Sequence, residues 1–227
     1  WLTNISRLRT ANGALLPKVT YWEIGNEPYL THPENTSLDI TPEEYARRAN
    51  DVISAMKSID SSIHVGIPLR SDALGGIPAT SCPGCSDPPG FNEKVLSYFT
   101  VEFDFVALHN AYMPVVLPTQ SPSDEDKYLA TMAATTVVKE DIIATKNLLK
   151  AHYPSKNILL FITEYNTLYD FTTIDPNDKY IPSLTSALYH ADLLALLAQE
   201  DIFMADYWSL SANWVFGAIS RNGTPTP

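Results

Sequence analysis

Two glutamates stand out by their surroundings. Glu27 lies in Tyr21-Trp22-Glu23-Ile24-Gly25-Asn26-Glu27-Pro28 and Glu164 in Phe161-Ile162-Thr163-Glu164-Tyr165-Asn166. Each follows a short apolar run of β character, and each has an asparagine within two residues. Two carboxyls brought face to face can cleave a glycosidic bond. One protonates the leaving oxygen, while the other attacks the anomeric carbon or activates water. At a separation of about 5 Å the attack is direct and configuration is retained. The charge of Glu164 would then favour the protonated form of Glu27, which suits Glu27 to the acid role. Either glutamate taken alone reads equally well as a surface ion-pair residue. Two in matching settings favour chemistry.

A pair so far apart in sequence needs a scaffold that brings strand ends together. The chain reads as strand then helix, repeated. Strands are predicted over Val19–Ile24, Ile63–Ile67, Phe103–Leu108, Ile158–Thr163 and Phe203–Leu210. Thr41-Pro42-Glu43-Glu44 marks a helix start, with Thr41 as cap, Pro42 in the first turn and Glu44 placed to complete a capping box. Tyr45, Ala49, Val52, Ile53 and Met56 follow as its apolar face. Further helices are expected over about 92–99, over 127–152 as one or two pieces, and over 183–199. The Gly-, Pro- and Cys-rich stretch Pro68–Gly90 and the polar stretch Pro114–Asp126 read as loops. Apolar strands alternating with helices indicate a parallel sheet covered by helices. In such folds the site forms at the carboxyl ends of the strands, where both glutamates fall. Five strands make either an open sheet or part of a (β/α)8 barrel.

The segment Trp22–Pro28 resembles the Asn-Glu motif that ends the fourth strand of clan A glycoside hydrolases. Thr163-Glu164-Tyr165-Asn166 resembles the nucleophile strand of the same clan, the seventh, and is most similar to that of α-L-arabinofuranosidase-like enzymes of the family 51 and 39 type. Thr163 and Tyr165 depart from the usual Asp and Trp. The resemblance implies an α/β fold, a (β/α)8 TIM barrel of which only the portion from the fourth to the eighth strand is present, so that residues 1–227 form the carboxyl-terminal part of one catalytic domain. It implies Glu27 as acid/base, Glu164 as nucleophile and Asn26 as a partner of the sugar 2-hydroxyl. His109 and Tyr112 would line the sugar subsite, although their spacing is wider than usual. Trp208 or Trp214 would stack on the sugar, and Asn166, Tyr29 and Tyr165 would border the cleft. Glu23, inside a strand, reads as a structural carboxylate paired with a cation, since burying it unpaired would be costly. An open five-stranded arc would expose apolar edges. The amino-terminal part of the barrel is therefore the expected partner, as another segment or another chain.

Composition agrees with a carbohydrate substrate. The 227 residues carry 26 acidic and 15 basic side chains, a formal net charge of -11. Such a balance argues against nucleic acid, whose binders cluster Lys and Arg on phosphates. No apolar run is long enough to span a membrane. Twelve Tyr and four Trp suit stacking on sugars as well as core packing. Cys82 and Cys85, in Ser-Cys-Pro-Gly-Cys-Ser, are too few for a closed zinc site. They read as a short disulfide pinning a loop, with free thiols as the alternative. The disulfide would place the chain in a secreted or extracellular setting. The chemistry implies no cofactor and no metal. The expected function is a retaining glycosidase acting on plant or microbial polysaccharide or oligosaccharide, of α-L-arabinofuranosidase, xylosidase or endoglucanase type. The alternatives are an inactive carbohydrate-binding protein of the same fold and, more remotely, a thiol redox protein.

Overall fold

A computed structural model describes residues 13–30, 39–71, 90–109, 111–113 (as backbone), 123–167, 183–211 and 216–219, together with 223 and 225. Cys82 and Cys85, Trp214 and the side chain of Tyr112 lie outside the described residues. Among those described, no helix is long and apolar enough to cross a membrane.

The order is β1 (Tyr21–Glu23), α1 (Pro42–Ile59), β2 (His64–Pro68), α2 (Phe91–Tyr98), β3 (Phe105–Leu108), β4 (Ala111–Met113), α3 (Asp124–His152), β5 (Leu159–Thr167), α4 (Leu184–Gln199) and β6 (Met204–Tyr207). All pairings are parallel: β1 with β2, β2 with β3, and β5 with β3, β4 and β6. β3 and β4 meet β5 with the same offset, Leu108 opposite Ile162 and Ala111 opposite Tyr165. They are two halves of one strand, the first ending before His109. Five parallel strand positions thus form a curled half-barrel backed by helices, the expected portion of a (β/α)8 fold.

Several boundaries differ from the expectation. β5 runs to Thr167 instead of stopping at Thr163, because β4 and the segment at Trp208 pair with its extra residues. Glu164 is therefore inside the strand. α3 is one helix and starts at Asp124, within the stretch read as a loop. Ser123 and Asp126 cap it reciprocally, and three acidic residues fill its first turn. In α1, Thr41 accepts from the Glu44 amide at 3.2 Å as expected. The Glu44 carboxylate instead binds Arg47 and Arg48, so the box is only half made. Val52 is exposed at the margin of the α1 stripe, and Ala46 is buried in its place.

Two apolar layers result. The outer one lies between sheet and helices and includes Val65, Ile67, Val106, Leu108, Ile162, Ile53, Val138 and Leu193. α3 feeds it with buried residues at three- and four-residue steps, from Thr131 through Ala134, Val138, Ile142 and Thr145 to Leu149. The inner layer lies in the concave face, where Phe105, Ala107 and Phe161 are fully buried. Phe105 stacks on Phe161 at 4.1 Å between ring centroids, and Phe161 on Phe203 at 5.2 Å. Tyr21, from the opposite edge strand, meets Phe161 at 5.5 Å and Phe203 at 5.6 Å.

Gly66 in β2 makes room for this layer, since a Cβ there would overlap the Phe105 ring. That ring is held by the Phe161 stack and cannot swing away. Gly66→Ala is therefore expected to destabilise the fold by about 1–3 kcal/mol through overpacking. A urea midpoint equal to that of the parent protein would contradict the contact.

Candidate active site

The turn after β1 presents Glu27. β1 ends at Glu23. The Ile24 amide still donates to the Gly66 carbonyl at 3.0 Å, and its carbonyl accepts from the Tyr45 hydroxyl at 2.8 Å. Gly25 then adopts φ 93° and Glu27 φ 43°. The second value is costly for a residue with a Cβ, on the order of 1–3 kcal/mol, and such costs cluster at working sites. Asn26, between them, is exposed. Tyr29 is buried beneath the turn, its hydroxyl 3.5 Å from Oε1 of Glu27.

Glu164 reaches the same place through an irregularity in β5. Phe161 points into the concave face and Ile162 outward. Strict alternation would send Tyr165 inward again, yet Tyr165 packs outward against Tyr207 and His190 at 5.6 and 5.7 Å. The pairing of β5 with β6 shifts register between Ile162 and Tyr165. A bulge of this kind re-aims a side chain, and here it turns Glu164 into the barrel.

His109, at the break between β3 and β4, joins the two. Its side chain is 3% exposed. Nδ1 lies 3.1 Å from Oε1 of Glu27 and 3.8 Å from Oε2 of Glu164, and Nε2 lies 3.6 Å from Oε1 of Glu23. Burial alone would push the imidazole down. The flanking Glu23 and Glu27 carboxylates and the charge of Glu164 override it and carry His109 up to about 10. Because Glu27 and Glu164 approach one nitrogen, their nearest oxygens lie within about 7 Å of each other. That bound admits the roughly 5–5.5 Å between the carboxyl groups of a retaining pair.

The other expected site residues divide. Trp208 is 48% exposed, and its backbone is tied at both ends. Its amide donates to the Tyr165 carbonyl at 3.0 Å, its carbonyl accepts from the Asn166 side chain, and the peptide to Ser209 is cis. The ring is thus an accessible face on a fixed support. Asn166 does not border the cleft. It is fully buried, and its amide bonds the carbonyls of Trp208 and Phe216, locking the segment after β6 onto β5. Tyr165 is likewise turned to the outer layer. Tyr112 occupies β4 opposite Asn166 by its backbone. Glu23, expected to face a cation, lies 3.6 Å from Nε2 of His109, and this brings it into the cluster. Its position in phase with Tyr21 on the inward face of β1, with a histidine at a strand end two places along the sheet, was the available signal. On the far edge strand, burial and the charge of Glu23 hold the Asp206 carboxyl above its usual range.

The likeness of this chain to known proteins lies in its fold. No protein-family model matches the chain, and no curated protein matches it in sequence. Solved structures do. A GH51 α-L-arabinofuranosidase from Thermotoga petrophila RKU-1 matches with a TM-score of 0.61 at 23% identity, over 88% of this chain and 35% of that one. The likeness shows a shared fold, part of a (β/α)8 barrel. A GH51 arabinofuranosidase from Xanthomonas axonopodis pv. citri gives 0.61 at 18% identity, covering 92% of this chain and 40% of that one. A glucosidase from Croceicoccus marinus gives 0.57 at 15% identity, covering 98% and 42%. The chain therefore spans well under half the length of the structures it resembles, in keeping with a half-barrel.

Proposed function

We propose that this chain carries the catalytic pair of a retaining glycoside hydrolase and forms the carboxyl-terminal part of a (β/α)8 catalytic domain. The observation that carries the reading is the convergence of Glu27 and Glu164 on one nitrogen of His109. Glu164 attacks the anomeric carbon as Glu27 gives its proton to the departing oxygen. The glycosyl ester on Glu164 is then hydrolysed by a water from which Glu27 takes a proton, restoring both residues. Oε1 of Glu27 faces His109 and Tyr29, which leaves Oε2 as the oxygen that carries the transferred proton.

The substrate is a plant or microbial polysaccharide or oligosaccharide, with arabinofuranosides, xylosides and β-glucans as candidates. Asn26 lies exposed beside the acid, and Trp208 offers a stacking face. The amino-terminal strands of the barrel complete the pocket, as another segment or chain. Secretion is part of the proposal and rests on a disulfide between Cys82 and Cys85.

The test is hydrolysis of a panel of nitrophenyl glycosides by the protein together with the rest of its barrel, with the first-formed anomer read by proton NMR. Retention is expected, and inversion would overturn the mechanism. Sugar binding without turnover across the panel would identify the non-catalytic carbohydrate-binding protein instead.

A further inference from the structure

Glu23 is the one carboxylate of the cluster to which the double displacement gives no task. It lies within β1 with its side chain 21% exposed, and its Oε1 is buried without a hydrogen bond. Among the described residues no lysine or arginine comes within ion-pair distance of it; Nε2 of His109 is the basic atom beside it, at 3.6 Å. The other face of the same ring is also occupied by carboxylates, Glu27 at 3.1 Å and Glu164 at 3.8 Å from Nδ1.

A neutral imidazole has one N–H and one lone pair. Whichever tautomer it took here, the lone pair would face a carboxylate oxygen inside a protected site, where unpaired charge is costly. Only the imidazolium offers a proton to both sides. Among the described residues, the charged groups facing the ring are Glu23 from β1, Glu27 from the turn after it and Glu164 from β5. Asp206 on β6 acts on the cluster through its charge interaction with Glu23.

We propose that Glu23 is a positioning residue: its carboxylate fixes His109 as an imidazolium, which in turn holds Oε1 of Glu27. The proposal deepens the assignment of Glu27 as acid/base and rests on it. Charge balance gives the arrangement its use. The imidazolium cancels Glu23, so that Glu27 and Glu164 face each other as an ordinary carboxyl pair. Without Glu23 the same ring would be either a neutral group with a misdirected lone pair or an uncompensated cation drawing the proton from the acid.

The experiment is a pH titration of the 15N-labelled protein, reading both ring nitrogens of each histidine by long-range proton–nitrogen correlation. His109→Gln assigns the signal by its loss. In the parent protein, both His109 nitrogens should show imidazolium shifts at pH 7.5. In Glu23→Gln, which keeps the shape and removes the charge, the midpoint should fall by at least about one pH unit, a tenfold loss of proton affinity. Glu23→Asp should recover part of that loss, and unchanged signals from the other histidines report that the fold is kept. A His109 that is neutral at pH 7.5, or a midpoint that Glu23→Gln leaves in place, overturns the proposal. Neither readout uses turnover. A failure here with retention of configuration observed discards the clamp alone, whereas loss of the Glu27 assignment would appear in the kinetics with the titration unchanged.

Discussion

Glu164→Ala is expected to lose turnover by on the order of 10⁴-fold or more, and added azide is expected to restore it. With the carboxylate gone, nothing on that face can form the glycosyl ester, and the ester route is what divides one hard displacement into two easier ones. The alanine leaves a space beside His109 that a small anion can enter. Azide then attacks the anomeric carbon from the side Glu164 occupied, with Glu27 still supplying the proton. The product is a glycosyl azide of inverted configuration, because only one displacement has taken place. Its isolation identifies the nucleophile directly. Activity unchanged in Glu164→Ala would remove Glu164 from the mechanism, and full loss with no azide product would point to a role other than attack.

Glu27→Gln is expected to cost about 10²–10⁴-fold, with the loss depending on the leaving group. A glycoside whose aglycone departs as a stable anion, such as dinitrophenolate, needs little help from an acid, so formation of the ester should be nearly normal. Its hydrolysis still lacks a base, and the ester should accumulate, giving a burst of phenolate followed by slow turnover. Natural oligosaccharides, with poor leaving groups, should show the full loss at the first step. A uniform loss across leaving groups would mean that Glu27 acts by holding the substrate rather than by moving a proton. The amide that replaces the carboxyl in Glu27→Gln would still face Tyr29 and His109, which makes this substitution a gentler probe than alanine.

The elements that hold these residues were legible because their signals are local. Thr41 before Pro42 at the start of α1, and the apolar runs at 63–67 and 158–163, specify structure within a few residues of themselves. What escaped was set by pairing between distant segments. β5 extends past Thr163 because β4 and Trp208 supply partners, and neither can be found from the residues of β5. The bulge between Ile162 and Tyr165 reverses the faces of the residues that follow it. The motif singled out the glutamate that meets His109, while its two neighbours, expected at the cleft, turn to the outer layer and to the backbone after β6. A bulge leaves no mark on a sequence that still alternates acceptably on either side of it. Glu23 is the complementary case. Its need for a cation followed from burial cost alone, but that the cation is a histidine already touching Glu27 depends on how β1 and β3 lie across the concave face.

On the proposed reading of the chain as part of a barrel, the aromatic layer on that face bears on how such a barrel would close. Tyr21 belongs to one edge strand and Phe203 immediately precedes the other, yet their rings touch, and Phe161 and Phe105 fill the span between them. The rings act as a spacer: they set how far apart the two free edges stand before any further strand arrives. Phe203 keeps 52% of its surface open, so the spacer ends in an apolar landing point. Strands closing such a barrel, whether from the same polypeptide or a separate one, would meet an arc whose inner face is already packed. Less ordering would then be needed at the moment of joining, and association would cost correspondingly less.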